Sequence, residues 1–243
     1  MEQNPLRIGV AGLGTVGAGV LKIFAAHGPT LSARAGRPMV VRAVCARNKN
    51  RDRGVDISAF DWEDDPVALA RREDVDLVVE VMGGENGPAK AAAEAALGRG
   101  AHFVTANKAM LAAHGATLAE VAEANGANLR FEAAVAGGIP VIKSLGEGLA
   151  ANQINRVYGV LNGTCNYILT EMARSGRDYE DILRDAQRLG YAEADPTADV
   201  GGVDAAQKLA LLAALAFGSR VDYPAVAVEG IERVALFDIG SAQ

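Results

Sequence analysis

Near its start the chain sets a short apolar run, Leu6 to Ala11 (LRIGVA), directly before Gly12 to Gly17 (GLGTVG) and a helical pattern, AGVLKIFAAHG. A strand, a G-x-G-x-x-G turn and a helix, in that order, make the phosphate-binding turn of a parallel α/β sheet. Gly12 permits the tight turn, Gly14 lets the backbone approach a pyrophosphate, and Gly17 lets helix and strand pack closely. With Leu13 in the turn, the amides around Thr15 and Val16 then face the phosphates from the helix start. The bland alternative is a structural tight turn; placement at the first strand–helix junction argues for nucleotide binding.

The alternation continues. A loop is expected from Gly28 to Pro38, then a second strand from Met39 to Ala46 (MVVRAVCA). Pro66 suits the start of a crossover helix. Val75 to Met82 (VDLVVEVM) is nearly all apolar, as a parallel strand covered on both faces should be. Gly83 and Gly84 follow at its carboxyl end, where ligands collect in open α/β sheets. A helix (GPAKAAAEAALGRG) leads to a strand from Ala101 to Thr105, with Ala106, Asn107 and Lys108 just beyond it. A helix from Gly115 to Asn125 and a strand from Leu129 to Ala134 complete the series. Right-handed crossovers place these strands in one sheet with helices on both faces. The fold class is therefore α/β: a Rossmann-type doubly wound parallel sheet over residues 1–136, followed by a second, α+β domain over residues 137–243. That second domain is expected to contain a strand from Arg156 to Leu161 (RVYGVL).

An acid at the end of the second strand would bind the ribose 2′-hydroxyl of NAD. Here that strand ends in Arg47, followed by Lys49, Arg51 and Arg53. A cationic pocket suits the 2′-phosphate of NADP. A solvated basic loop is the plainer reading, and Asp52 or Asp56 could still serve NAD.

A net charge of −6 argues against a nucleic-acid surface, which needs a basic face. No apolar run reaches the ~20 residues that span a bilayer, and the first residues lack a basic region followed by an apolar signal core. Cys45 and Cys165, the two cysteines, make no disulfide framework and suit a reducing cytoplasm. No Cys/His cluster has zinc spacing, and His27, His102 and His114 are scattered.

A second stretch carries the chemistry: Ala186 to Lys208, AQRLGYAEADPTADVGGVDAAQK. Pro196 and the Gly201-Gly202 pair break any helix, so its middle is a shaped loop. A helical pattern begins near Val203, which puts Asp204 and Lys208 on one face. As a surface pair they would contribute only roughly 0.3–0.5 kcal/mol. The helix is otherwise so apolar that burial is expected, and a buried lysine needs partners. Upstream, Gly163 and Thr164 open a helix whose amides could receive a carboxylate, although Asn162 or Thr164 could equally cap it.

The run from Ala186 resembles the signature of homoserine dehydrogenases, with Ala186, Gly190, Tyr191, Ala192, Asp195, Pro196, Asp199, Gly202, Asp204 and Lys208 filling each place. Asn107-Lys108, the Glu132-Ala133 and Gly138-Ile139-Pro140 segment and Asn162-Gly163-Thr164 also resemble that family. The resemblance implies oxidation of L-homoserine, or reduction of L-aspartate 4-semialdehyde, with NADP (NAD possible). It implies Lys208 as proton donor and acceptor, Asp204 fixing its ammonium, and Lys108 beside the nicotinamide and substrate. Glu193 and Asp199 would hold the amino acid's ammonium, with Tyr191 shaping the pocket. It further implies a monovalent cation such as sodium on Glu132, Val135, Gly137 and Ile139, and a homodimer. Family members continue further, so the second domain is expected to be incomplete here. Two other functions remain open: an aldehyde dehydrogenase forming a thioester on Cys165, and a non-catalytic NADP-binding module.

Overall fold

In the computed structural model, which describes residues 4–242, Leu6–Ala11 forms β1 near the middle of a six-stranded sheet. The glycine turn leads into α1 (Thr15–Ala35), which returns the chain to β2 (Met39–Cys45) and then β3 (Asp61–Glu63). The series continues through α2 (Pro66–Arg71), β4 (Leu77–Glu80), α3 (Pro88–Gly98), β5 (His102–Thr105), α4 (Lys108–Ala124) and β6 (Leu129–Arg130). The strand order is β3-β2-β1-β4-β5-β6, and every pairing is parallel. Chain direction across the sheet reverses between β1 and β4. At such a switch point a doubly wound sheet opens a crevice at the carboxyl ends of its strands.

Both faces of this sheet are covered, which is why its strands read as apolar runs rather than as alternating ones. On one face the alanines of α3 (Ala89, Ala92, Ala93, Ala96) pack close to the sheet with Leu69, Phe103, Met110 and Leu118. On the other, Leu21 of α1 packs with Ile8, Val10 and Val44. Each large apolar side chain fully buried in this way contributes about 1.5–3 kcal/mol.

Four local expectations are corrected. The stretch expected as a loop from Gly28 is helical as far as Ala35, with Pro29 inside α1. This part of α1 is largely exposed, so the ring faces water at the loss of one backbone bond. The short edge strand β3 was not foreseen. α4 begins at Lys108 rather than Gly115, because the Asn107 carboxamide oxygen accepts the Met110 amide at 3.1 Å and caps the helix there. β6 ends at Arg130, since Glu132 opens the short helix α5 (Glu132–Val135) where the strand was expected to continue. A further short helix, α6 (Val141–Lys143), and a π-helical turn (Ser144–Gly148) follow. The first compact unit ends at Gly148 and the second begins at Leu149, so residues 137–148 group with the sheet.

The described elements of the second unit are helical: α7 (Gly163–Ser175), α8 (Tyr179–Leu189), α9 (Thr197–Val200), α10 (Val203–Phe217), a 3₁₀ turn (Tyr223–Ala225) and α11 (Leu236–Ser241). The strand expected at Arg156–Leu161 is irregular chain. Tyr158 and Val160 are 87% and 74% exposed, and no strand lies beside this segment among the described residues to take its backbone groups. The unit's core forms where Ile168 and Met172, one turn apart on α7, meet Ile182 and Ala186, one turn apart on α8, with Val200 against them. No helix of the described residues is long and apolar enough to cross a membrane.

Candidate active site

The first unit supplies a nucleotide cleft. Gly12 has φ +99°, and a Cβ there would stand 2.7 Å from the Val81 carbonyl oxygen. At Gly17 a Cβ would fall 1.9 Å from the Gly12 carbonyl oxygen, so only glycine lets α1 start this close to β1. Gly14 is the N-cap of α1 and lends no side chain to its first amides, and no acid stands in that first turn. Those amides and the helix dipole are left to an anion. A cleft of about 390 Å³ is lined by Gly12, Leu13, Gly14, Arg47, Arg51, Met82 and Gly83, among others. Thr15 borders a smaller recess beside it with Arg51 and Asp52. Val16 is exposed on the helix, and Gly17 is buried against the turn.

The basic loop after β2 divides into two roles. Arg53 is a brace: its guanidinium donates to the carbonyls of Leu13 at 3.2 Å, Lys49 at 3.3 Å, Arg51 at 2.6 Å and Asn48. Arg53 and Lys49 also lie over the Trp62 ring, each 5.8 Å from its centroid. Arg47 and Arg51 line the cleft without those backbone ties, and Arg53 lines it as well. The acids that could have served a ribose hydroxyl are turned to their own loop: Asp52 accepts the Gly54 amide at 2.8 Å and Asp56 the Ser58 amide at 2.9 Å. The Ser58 hydrogen bonds hold the Asp56 carboxyl below its ordinary value.

One residue at this cleft escaped the sequence reading. Glu80, the last residue of β4, is fully buried. Its Oε1 accepts the amides of Met82 at 2.6 Å and Gly83 at 3.0 Å, and its Oε2 accepts the Thr105 hydroxyl at 2.5 Å. An acid inside an apolar strand pattern, just before Gly-Gly, was the available signal. Ala106 donates its amide to the Glu80 carbonyl at 3.2 Å, and Lys108 opens α4 directly beyond the Asn107 cap.

The second unit gathers the polar residues of the Ala186–Lys208 stretch. Lys208 Nζ donates to Asp204 Oδ2 at 2.7 Å and to the Leu161 carbonyl at 2.9 Å. Its side chain is 19% exposed and that of Asp204 is 7% exposed, so this is no surface pair. Asn162 organises the cluster. Its carbonyl oxygen caps α7 by accepting the Cys165 amide at 2.8 Å, while its amide nitrogen donates to Asp199 Oδ1 at 2.8 Å and Asp204 Oδ2 at 2.9 Å. One side-chain amide thereby ties Asp199 to the Asp204–Lys208 pair. Thr164 Oγ1 lies 2.8 Å from the Tyr191 carbonyl and 3.2 Å from Asp199 Oδ2, and its one proton goes to one or the other. Gly163 begins α7. Tyr191 is largely exposed and packs on Tyr167 with ring centroids 4.8 Å apart, and Glu193 is exposed on the same loop.

Cys165 is half-buried at the edge of this cluster, and its thiol donates to the Asp199 carbonyl at 3.2 Å. Burial, then the charges of Asp199 and Asp204, push the thiol up from its ordinary value, opposite to what a thiolate nucleophile requires. The residues expected to hold a cation are bonded within the chain. The Glu132 carboxylate accepts the amides of Ile142 and Lys143 at 2.8 and 3.0 Å, and the carbonyls of Glu132 and Ile139 accept those of Ala136 and Val141. Two of the four carbonyls, and the one carboxylate, thus accept the chain's own amides, while each carbonyl oxygen keeps a second lone pair. No group of three or more His, Cys, Asp or Glu that could hold a metal occurs among the described residues.

A six-stranded parallel sheet with this glycine turn, joined in sequence to a helical unit with a lysine–carboxylate cluster, defines a dinucleotide-binding protein of the Rossmann class. Known proteins narrow this further. Residues 12–132 match the family model "Homoserine dehydrogenase, NAD binding domain", and residues 140–243 match the model "Homoserine dehydrogenase". The chain is 49% identical to homoserine dehydrogenase of Mycobacterium tuberculosis over 241 residues, covering 99% of this chain and 54% of that one. Among solved structures it resembles a homoserine dehydrogenase from Thiobacillus denitrificans (TM-score 0.93, 41% identity, 98% of this chain and 55% of that one). It also resembles a putative one from Archaeoglobus fulgidus (TM-score 0.83, 34% identity, 98% and 76%). A hyperthermophilic archaeal homoserine dehydrogenase in complex with NADPH is similar at TM-score 0.80 and 25% identity, covering 95% of this chain and 75% of that one. The chain belongs to the homoserine dehydrogenase family. It spans about half the length of the curated relatives it matches.

Proposed function

We propose that this chain interconverts L-homoserine and L-aspartate 4-semialdehyde, using NADP in preference to NAD. Bound NADP supplies the hydride acceptor, or in reverse the donor. The rest falls to the protein. The first amides of α1 and the glycine turn hold the pyrophosphate, and Arg47 and Arg51 hold the 2′-phosphate. Lys108, at the start of α4, adds positive charge near the reacting oxygen. Asp199, with Glu193 nearby on the chain, takes the substrate's ammonium. Tyr191 shapes that pocket, and Gly163 and Thr164 border it at the start of α7. In the oxidation direction the neutral Lys208 amine accepts the hydroxyl proton as the carbinol carbon gives up hydride; in reduction the ammonium returns that proton to the new alkoxide oxygen. Asp204 and the Leu161 carbonyl fix the amine in place.

One observation carries the reading. An ammonium has three donors, and two of those on Lys208 are fixed by the buried Asp204 carboxylate and the Leu161 carbonyl, which leaves a third N–H for a substrate oxygen. The family's name, the NADPH held by one structural relative, and the arginines that line the cleft support the substrate and cofactor. Two free cysteines suit a reducing cytoplasm, and exposed Tyr158 and Val160 suit cover by a second copy. The test is the change in nicotinamide absorbance on mixing the chain with homoserine and each cofactor. Turnover with homoserine, faster with NADP, is expected. Tight NADPH binding with no turnover would replace this reading with that of a non-catalytic NADP-binding module.

A further inference from the structure

Burying a carboxylate completely is costly unless every oxygen finds a donor. Glu80 meets that condition through a network joining the exits of two neighbouring strands. Its Oε1 draws in the amides of Met82 and Gly83, and its Oε2 takes the Thr105 hydroxyl. The Thr105 hydroxyl oxygen in turn accepts the Asn107 amide at 2.9 Å. Asn107 closes the ring, its Nδ2 donating to the Gly84 carbonyl at 2.7 Å while its Oδ1 caps α4. Without this tether, the exit of β4 would depend on glycines with positive φ, Gly83 (+81°) and Gly84 (+94°), which are free to take other conformations.

The network's place in the sheet gives it a function. A doubly wound sheet binds the two nucleotide halves on either side of its switch point. On the NADP reading, the basic loop after β2 would take the adenosine half over β1, β2 and β3, and the other half would then lie over β4, β5 and β6. Met82 and Gly83, whose amides Glu80 holds inward, line the cleft. We propose that Glu80 is a positioning residue for the nicotinamide half of the cofactor: without touching it, its carboxylate sets Met82, Gly83 and, through Thr105, Asn107 as the bed on which that half lies. This rests on the NADP reading above.

The test is calorimetric titration of the chain with two ligands, NADPH and adenosine 2′,5′-bisphosphate, which carries only the adenosine half. Glu80→Ala should weaken NADPH binding about tenfold while binding of the bisphosphate stays within about twofold. Glu80→Gln should bind both nearly as the parent does, because its oxygen can keep the two amides while its Nε2 donates to Thr105. If Glu80→Ala does not fold, Glu80→Asp serves the same purpose, since it keeps the charge and withdraws the oxygens by one methylene. Unchanged NADPH affinity, equal losses for both ligands, or a Glu80→Gln as weak as Glu80→Ala would each overturn the proposal. A parent chain that binds neither ligand would overturn the cofactor reading itself, and the proposal with it.

Discussion

Asp204 and Lys208 stand one helical turn apart on α10, and the Lys208 ammonium lies 2.7 Å from Asp204 Oδ2. The same oxygen accepts the Asn162 amide at 2.9 Å. It therefore organises two donors from different segments, and its loss should be felt in both stability and turnover. Removing one partner of a buried pair strands the other, at about 3–5 kcal/mol. Lys208 keeps some access to water, so Asp204→Asn should cost about 3 kcal/mol in urea unfolding and lower kcat at least tenfold. Parent-like unfolding would mean that the pair is held by its surroundings rather than by charge.

The glycines of the phosphate turn should separate by cause. Gly17→Ala drives a Cβ into the Gly12 carbonyl, so the thermal midpoint should fall sharply, by about the 1–3 kcal/mol of an overpacked site or more. A Cβ on Gly14 meets nothing within 4 Å. Gly14→Ala should melt like the parent and lose NADPH affinity, because the methyl stands where the pyrophosphate approaches. Thermal melts and NADPH titrations of the two variants check both halves.

Arg47 should set cofactor choice. Losing a charge-assisted hydrogen bond to the 2′-phosphate costs about 1.5–3 kcal/mol, or roughly ten- to a hundredfold in KM. Arg47→Ala should raise KM for NADP by that factor and leave KM for NAD nearly unchanged. Arg53→Ala should instead weaken both cofactors, since Arg53, although it also lines the cleft, braces the loop and donates to the Leu13 carbonyl of the glycine turn.

Much of this arrangement was legible in the residues. LRIGVA-GLGTVG marked β1, its turn and α1, because glycine geometry and strand burial leave strong local signals. The spacing of Asp204 and Lys208 likewise announced a shared face. Less visible were features fixed by distant partners. Glu80 reads as one more residue of an apolar strand until Thr105 and the Gly83 amide are brought to it. Asn162 looked like a simple cap, yet its amide bridges two acids 37 and 42 residues away. RVYGVL has strand composition, but composition supplies no partner, and the segment stays irregular. Pro29 misled in the opposite sense: on an exposed helix face its cost is one hydrogen bond, not the helix.

Cys45 gives a pH test. Burial, reinforced by Asp65, Glu63 and Asp64, pushes its thiol from 9.0 up to about 11. The fold thus keeps a proton that the unfolded chain releases, so this contribution is present below pH 9.0 and is lost as pH rises toward about 11. Urea midpoints of the parent should fall across that window, and Cys45→Ala should lack this component of the slope. Parallel slopes in the two proteins would place the alkaline loss elsewhere.

The central claim is that Lys208 moves the proton, and it is tested most directly by kcat and NADPH affinity measured together for Lys208→Ala. General acid–base catalysis contributes about 10²–10⁴-fold. The predicted result is a kcat reduced by that factor, with NADPH binding unchanged and KM for homoserine raised far less. Parent-like turnover from Lys208→Ala would contradict the account.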